Sequence, residues 1–245
     1  MTSGYYPIRR KKNNLVESVF FVLMVLVAVF ILFKSPVFEV RQIVVKGTTI
    51  SAETIISVSG ISPGQNIFKL DLKSAEKKIQ LLPLVKVVNI TRKLPATIYI
   101  EVEERKAVGA LQITDGFIQV DDEGFCLRKA DIVNAQIPVI TGVQIDFSGI
   151  GKKLESEKLS TVLNVVYELP KEILPKLSEV HIDDEGCIKL YMLDGVQCRL
   201  GLPEKIKQKG QILLNVLQEL QPKGKKIEYI ELSYYGNPVV KYSGK

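Results

Sequence analysis

The chain has no tryptophan, three methionines, three cysteines and a single histidine among its 245 residues. Each scarcity closes a class of chemistry. The lone histidine, His181 in EVHIDD, leaves no pair of imidazoles for a zinc site and no HExxH helix. A nucleophile elbow between strand and helix is not expected, and no glycine-rich loop follows a strand to cradle phosphates. The cysteines, Cys126, Cys187 and Cys198, show no CxxC spacing, and they read as small buried hydrophobes. A two-residue hairpin at Asp194-Gly195 would place Leu193 opposite Val196, Tyr191 opposite Cys198 and Cys187 opposite Leu202. Cys187 and Cys198 would then share a face about 13 Å apart, too far for a disulfide. Asp183 and Asp184 are adjacent turn residues that project differently, unlike the two acids about 5–10 Å apart that a glycosidase holds across its sugar. A non-enzymatic chain remains, with no catalytic residue, cofactor, metal or small-molecule substrate expected.

Charge is unevenly spread. Basic residues outnumber acids 33 to 27, a net charge of +6. The segment up to Lys34 holds five basic residues and one acid, so only +2 is left for the rest. That distribution removes the case for a nucleic-acid partner, because the excess is not a patch on the globular part. What the basic cluster does precede is an apolar run, VESVFFVLMVLVAVFILFK from Val16 to Lys34, with no polar side chain between Val19 and Phe33. It reaches the length of about 17–25 residues that a helix needs to cross the hydrocarbon core. Glu17 and Ser18 fall in its first turn, near headgroup water. Arg9, Arg10, Lys11 and Lys12 set the orientation, with the amino terminus cytoplasmic and everything after Lys34 outside. A cleaved signal is disfavoured, since the run exceeds the usual core of about 7–15 residues and FKSPVFEV offers no small-x-small site. The expected layout begins with a cytoplasmic tail over 1–15 and a transmembrane helix over 16–35.

Beyond the anchor, Phe38 to Val45 reads as a strand whose apolar parity shifts between Val40 and Ile43, as a bulge would produce. Ser51 is placed to cap a short helix stopped by Gly60, and Asp71 a second helix with Leu72, Ala75, Ile79 and Leu82 at helical spacing. Two strands follow, Val85 to Arg92 and Thr97 to Glu103, and Ile98, Ile100 and Val102 alternate with polar neighbours in the second. Farther on, DDEG occurs twice, at Asp121 to Gly124 and Asp183 to Gly186. Each copy reads as a hairpin turn and not as a calcium loop, which spreads its ligands over about twelve residues. Leu159, Val162, Leu163, Val166 and Tyr167 mark one face of a helix ending at Pro170, and that face is expected in the core. A later helix from Pro203 to Leu220 carries Ile206, Leu213, Val216 and Leu217 inward, with Lys205, Lys207 and Lys209 on other faces. Lys223, Lys225 and Lys226 read as a solvated exit loop. Ile227 to Ser233 and Pro238 to Tyr242 read as strands, with Pro238 tolerable only at an edge or a strand start.

The order strand, helix, helix, strand, strand directly outside one anchor resembles a POTRA domain. The words FEVRQIVVKG, GQNIFKLDL and LPLVKVVNITRKLPATIYIEVEER resemble the first extracytoplasmic domain of the FtsQ/DivIB family of bacterial cell-division proteins. DGFIQVDDEGF, IPVITG (Ile137 to Gly142) and GLPEKIKQKGQILLNVLQEL resemble parts of that family's second domain. Glu104-Arg105-Lys106-Ala107-Val108-Gly109 departs from the family's usual Pro and small residue after Glu-Arg, so the hinge is expected to be less rigid.

The fold class is accordingly α+β: one transmembrane helix, a βααββ POTRA-type domain over 37–105 and a second mixed α/β-sheet domain over 106–245. The resemblance implies a bitopic septation protein of the cytoplasmic membrane at the division septum, scaffolding other membrane proteins of the divisome. Two small bitopic coiled-coil proteins are implied as partners at its carboxy-terminal part. The expected partner surface is Tyr229, Ile230, Leu232, Tyr234, Tyr235, Pro238, Val239 and Val240, because an edge strand offers free backbone groups beside large side chains. The competing function is an envelope chaperone or translocation component, since POTRA domains also precede membrane β-barrels. Here one such unit follows a helix, and no series of alternating ten-residue strands is present.

Overall fold

In the computed structural model, residues 15–130, 137–220, 227–234 and 238–242 are described. The apolar run forms helix α1 (Leu15–Phe33), 19 residues long, which at about 1.5 Å per residue is close to the hydrocarbon thickness of about 30 Å. From Val16 to Lys34 every residue is exposed, as expected of a helix whose apolar side chains, Phe33 at its end aside, have no protein to cover them. Arg9, Arg10, Lys11 and Lys12 lie outside the described residues.

The chain divides into two compact units, and α1 belongs to the first. One takes in the chain up to Lys78 together with Asn89–Glu101, the other Ile79–Val88 together with Val102 onward. The element order after α1 begins β1 (Gln42–Lys46), α2 (Ala52–Ser59), α3 (Leu72–Gln80), β2 (Val85–Lys93) and β3 (Thr97–Glu104). Their sheet runs β1-β3-β2, with β1 parallel to β3. The capping expectations hold: Ser51 accepts from the Thr54 amide at 3.2 Å, and Asp71 accepts from the Ser74 amide at 3.1 Å. In β3, Ile98, Ile100 and Val102 are buried while Thr97, Tyr99, Glu101 and Glu103 are not. The first strand is the exception. Phe38 closes a 3-10 turn, Pro36–Phe38, and β1 starts only at Gln42. Between them Val40 pairs with the loop instead, its amide donating to the Gln65 carbonyl at 2.8 Å and its carbonyl accepting from Gly64 at 2.9 Å. The parity shift read as a bulge is therefore a change of partner.

Among the described residues the second unit is built on a nine-stranded mixed sheet, in the order β12-β11-β10-β9-β8-β7-β4-β5-β6. Its strands are β4 (Gly109–Ile113), β5 (Gly116–Val120), β6 (Cys126–Ala130), β7 (Val139–Thr141), β8 (Leu177–Ile182), β9 (Ile188–Met192), β10 (Gln197–Gly201), β11 (Ile227–Glu231) and β12 (Val239–Tyr242). Helices α4 (Glu157–Glu168) and α5 (Ile206–Leu220) connect the parallel pairs β7-β8 and β10-β11, as parallel neighbours require a crossover. Their apolar faces join the core of this sheet. Alternation along β9 and β10 puts Ile188, Leu190, Met192, Cys198 and Leu200 inside and leaves Lys189, Tyr191, Gln197 and Arg199 half-buried.

Five expectations are corrected. Tyr167 is 74% exposed and Val165 takes its place in the core, since one step of about 100° carries residue 167 past the buried stripe of α4. The β9-β10 loop has three residues, Leu193 to Gly195, closed by the Met192 amide to the Val196 carbonyl at 2.9 Å. The register is thereby shifted by one, pairing Leu190 with Cys198 and Tyr191 with Gln197. Cys187 precedes β9 and is half-buried, whereas Cys126 and Cys198 are buried; all three are free thiols. Helix α5 begins at Ile206 and not at Pro203, after Lys205 at φ 54°. Lys209 of that helix is buried, its ammonium donating to the carbonyls of Leu200 at 2.6 Å and Leu202 at 3.1 Å. Those carbonyls lie at the end of β10, and a long lysine stem reaches them through the core.

Candidate partner surface

The carboxy-terminal end of the sheet is assembled from three strands. β10 delivers the chain to α5, which returns it parallel to β10 as β11; β12 then folds back antiparallel on β11. The pairing sets Ile230 opposite Val240 and Glu231 opposite Val239. Among the described residues β12 is the last strand of this sheet and has a neighbour on one side only. An edge of this kind presents backbone donors and acceptors to an incoming strand.

The eight expected contact residues divide by depth. Ile230 and Leu232 point into the core at 0% and 2% exposure, so in this conformation they support the edge from behind. Val240 is half-buried and packs against that core. Tyr234 is 84% and Val239 58% exposed, and Pro238 is exposed just before β12. Tyr235 lies outside the described residues. Tyr229 is half-buried, its ring held between cations, with the Arg199 guanidinium carbon at 4.2 Å and Lys241 Nζ at 5.4 Å from its centroid.

Sequence reasoning passed over the network that holds this end. Arg199 donates through Nε and Nη2 to Gln197 Oε1 at 3.3 and 3.2 Å, and Gln197 Nε2 donates to the Tyr191 hydroxyl at 3.2 Å. Lys241 pairs with Glu228 at 3.1 Å across the last two strands. The only advance signal was the alternation of β9 and β10, and the mistaken register hid it. At Gly201, φ is 69° and an added Cβ would sit 2.9 Å from Ser233 Cα, so glycine is what lets the chain leaving β11 pass the end of β10. The Leu232 amide, donating to the Arg199 carbonyl at 2.8 Å, fixes the same approach.

The two DDEG turns are built alike. Asp121 Oδ1 accepts from the amides of Glu123 and Phe125; Asp183 Oδ1 accepts from those of Glu185 and Cys187. Gly124 and Gly186 take φ of 86° and 83°. The second carboxylate oxygen faces a cation in each turn, Arg105 for Asp121 and Lys189 for Asp183. These oxygens are committed to the fold. Arg105 also bonds Glu123 at 2.8 Å and covers the Phe125 ring at 3.8 Å, and Lys86 reaches Asp122 at 3.1 Å. Hydrogen bonding from Arg105 holds the Glu123 carboxyl below its ordinary range, and the bond from the Cys187 amide does the same for Asp183.

Groups capable of chemistry are also committed. The Thr141 hydroxyl donates to Glu179 at 2.6 Å, so it accepts from Nδ1–H of His181 at 2.7 Å, because a carboxylate only accepts. Burial pushes the Cys126 thiol up to about 11 and raises Cys198 as well, which leaves neither a ready nucleophile. The letters GxSxG do occur, as Gly60-Ile61-Ser62-Pro63-Gly64, a match the sequence reading overlooked. They follow a helix, however, and the Ser62 amide turns back to Gln65, which is not a strand-to-helix elbow. A groove of about 760 Å³ beside β4 and β7 is lined by Asp115, Lys129, Asp146, Gln112, Thr114 and Thr141 together with apolar residues, without histidine, cysteine or serine. Among the described residues no group of three potential metal ligands occurs.

Comparison with known families matches residues 38–105 to the POTRA domain, FtsQ-type, and residues 110–233 to the domain described as cell division protein FtsQ/DivIB, C-terminal. Cell division protein DivIB of Clostridium botulinum (strain Hall) is 30% identical over 97% of this chain and 95% of its own length. DivIB of Bacillus subtilis (strain 168) is 26% identical over 93% of this chain and 84% of its own. A solved structure of the major extracytoplasmic domain of DivIB from Geobacillus stearothermophilus aligns at 18% identity and TM-score 0.36, covering 50% of this chain and 99% of that one.

Proposed function

The chain belongs to the FtsQ/DivIB family of cell-division proteins, and from that membership we propose that it is a non-enzymatic scaffold of the bacterial divisome. It is anchored by α1 with the amino terminus in the cytoplasm. Its outer part comprises a POTRA domain over 37–105 and a β-rich domain over 106–245, and it works at the division septum. Confinement to the membrane plane raises the effective concentration of other anchored proteins, so contacts weak in solution become usable. The observation that carries the docking role is the open edge at β12, flanked by exposed Val239 and Tyr234. Two small bitopic coiled-coil proteins dock there by adding a strand, with Tyr229 braced between Arg199 and Lys241 beside them.

Depletion of the protein in its own host tests this function. Cells should elongate into unseptated filaments. Loss of outer-membrane proteins with septation intact would favour the chaperone or translocation role instead.

A further inference from the structure

The loop within GQNIFKL has no part in the surface at β12, yet it is tied from two directions. From the sheet, Arg92 donates through Nε to the Ile67 carbonyl at 2.8 Å and through Nη2 to the Leu70 carbonyl at 2.6 Å. From the membrane helix, Asn66 Nδ2 donates to the Phe33 carbonyl at 2.7 Å. The last carbonyls of a helix lack donors within it, and here a side chain of the folded unit supplies one. Asn66 Oδ1 accepts from the Phe68 amide at 3.0 Å, so both ends of the amide are matched to their neighbours.

Three rings meet at the same point. Phe33 and Phe68 stand edge to face with centroids 4.9 Å apart, Phe38 and Phe68 are 5.1 Å apart, and Phe33 and Phe38 5.9 Å. The cluster is not sealed: Phe33 is 46%, Val37 46% and Phe68 39% exposed. Lys34 and Lys69 flank it, also exposed.

Phe33 is the last residue of α1. If α1 crosses the bilayer, as the proposed function requires, Phe33 lies where acyl chains meet headgroups. That layer is about 5–7 Å deep on each side, so a ring in direct contact with Phe33 lies in it too. We propose that Phe38 and Phe68, with Val37, form an interfacial anchor seated in the phospholipid boundary of the bilayer that α1 spans. Asn66 is the clamp that joins loop and helix end into one body. Phe side chains can bury at the boundary of acyl chains and headgroups when basic side chains beside them meet anionic lipid. The anchor holds the first folded unit at a fixed depth instead of letting it swing on a tether.

The absence of tryptophan supplies the test. Phe68→Trp and, separately, Val25→Trp are each made in the full chain and reconstituted in nanodiscs of phosphatidylethanolamine and phosphatidylglycerol. The lipids are brominated either near the headgroup or at mid-chain. The Val25→Trp emission should be quenched most by mid-chain bromine. The Phe68→Trp emission should be blue-shifted and quenched most by bromine near the headgroup, and adding Asn66→Ala should weaken that quenching without changing the Val25→Trp result. Val37→Trp carries the same expectation should Phe68→Trp fail to match the wild-type melting curve. Water-like, unquenched emission at positions 68 and 37 with normal quenching at 25 would overturn the anchor and leave the spanning helix standing. Unquenched emission at 25 would overturn both.

Discussion

Arg105 is the residue whose environment says most about how the second unit is held. Its guanidinium is the cation facing Asp121, whose side chain is fully buried, and it reaches Glu123 as well. Removing one member of a buried pair leaves a charge without a counterpart, a loss of about 3–5 kcal/mol. Arg105→Ala should therefore lower stability by about 3 kcal/mol in denaturant titrations of the full chain in detergent, and an unchanged midpoint would contradict the pairing. The same contact predicts an acid dependence. Glu123 titrates lower in the folded chain than its ordinary 4.5, so its contribution is complete above that value and disappears as pH falls through the depressed folded value. Arg105→Ala should flatten that part of the pH–stability curve. None of this was legible in Glu-Arg-Lys-Ala-Val-Gly, which read only as a hinge, because the partner acids lie in a turn reached through tertiary folding.

At the scale of elements, what sequence reveals depends on how local the physics is. The caps at Ser51 and Asp71 and the alternation of β3 were readable because donor, acceptor and period lie within a few residues. Replacing Ile100, which is fully buried, by Asp places an unpaired charge in a core. That change should cost several kcal/mol and abolish folding of the segment 37–105 expressed alone. Dispersed amide resonances in the wild-type segment, lost in Ile100→Asp, are the expected spectrum; a collapsed wild-type spectrum would contradict an autonomous domain there. The β9-β10 register was missed because a two-residue and a three-residue loop share the letters Asp-Gly, and only the closing bond from Met192 to Val196 distinguishes them. Lys209 was missed because charge argues for solvent. Its burial became intelligible only with the Leu200 and Leu202 carbonyls beside it, and desolvation holds its ammonium below the usual lysine range.

For the whole molecule the account joins a span, a first folded unit and the open sheet edge of a second. Orientation rests on Arg9 to Lys12. An alkaline phosphatase fused to the carboxy terminus should be active, and protease added to spheroplasts should remove the outer part; an active cytoplasmic reporter at that terminus would contradict the orientation. The central claim is that the β12 edge is where partners dock. Val239 is exposed, so Val239→Asp should leave the fold intact while placing a charge on the docking edge. The most direct measurement is co-purification of the two small coiled-coil division proteins with tagged full-length protein from the host membrane, comparing wild type, Val239→Asp and a chain ending at Ser233. The account predicts that Val239→Asp melts like the wild type and that neither variant recovers either partner; undiminished recovery with Val239→Asp, or with a folded chain ending at Ser233, would contradict it.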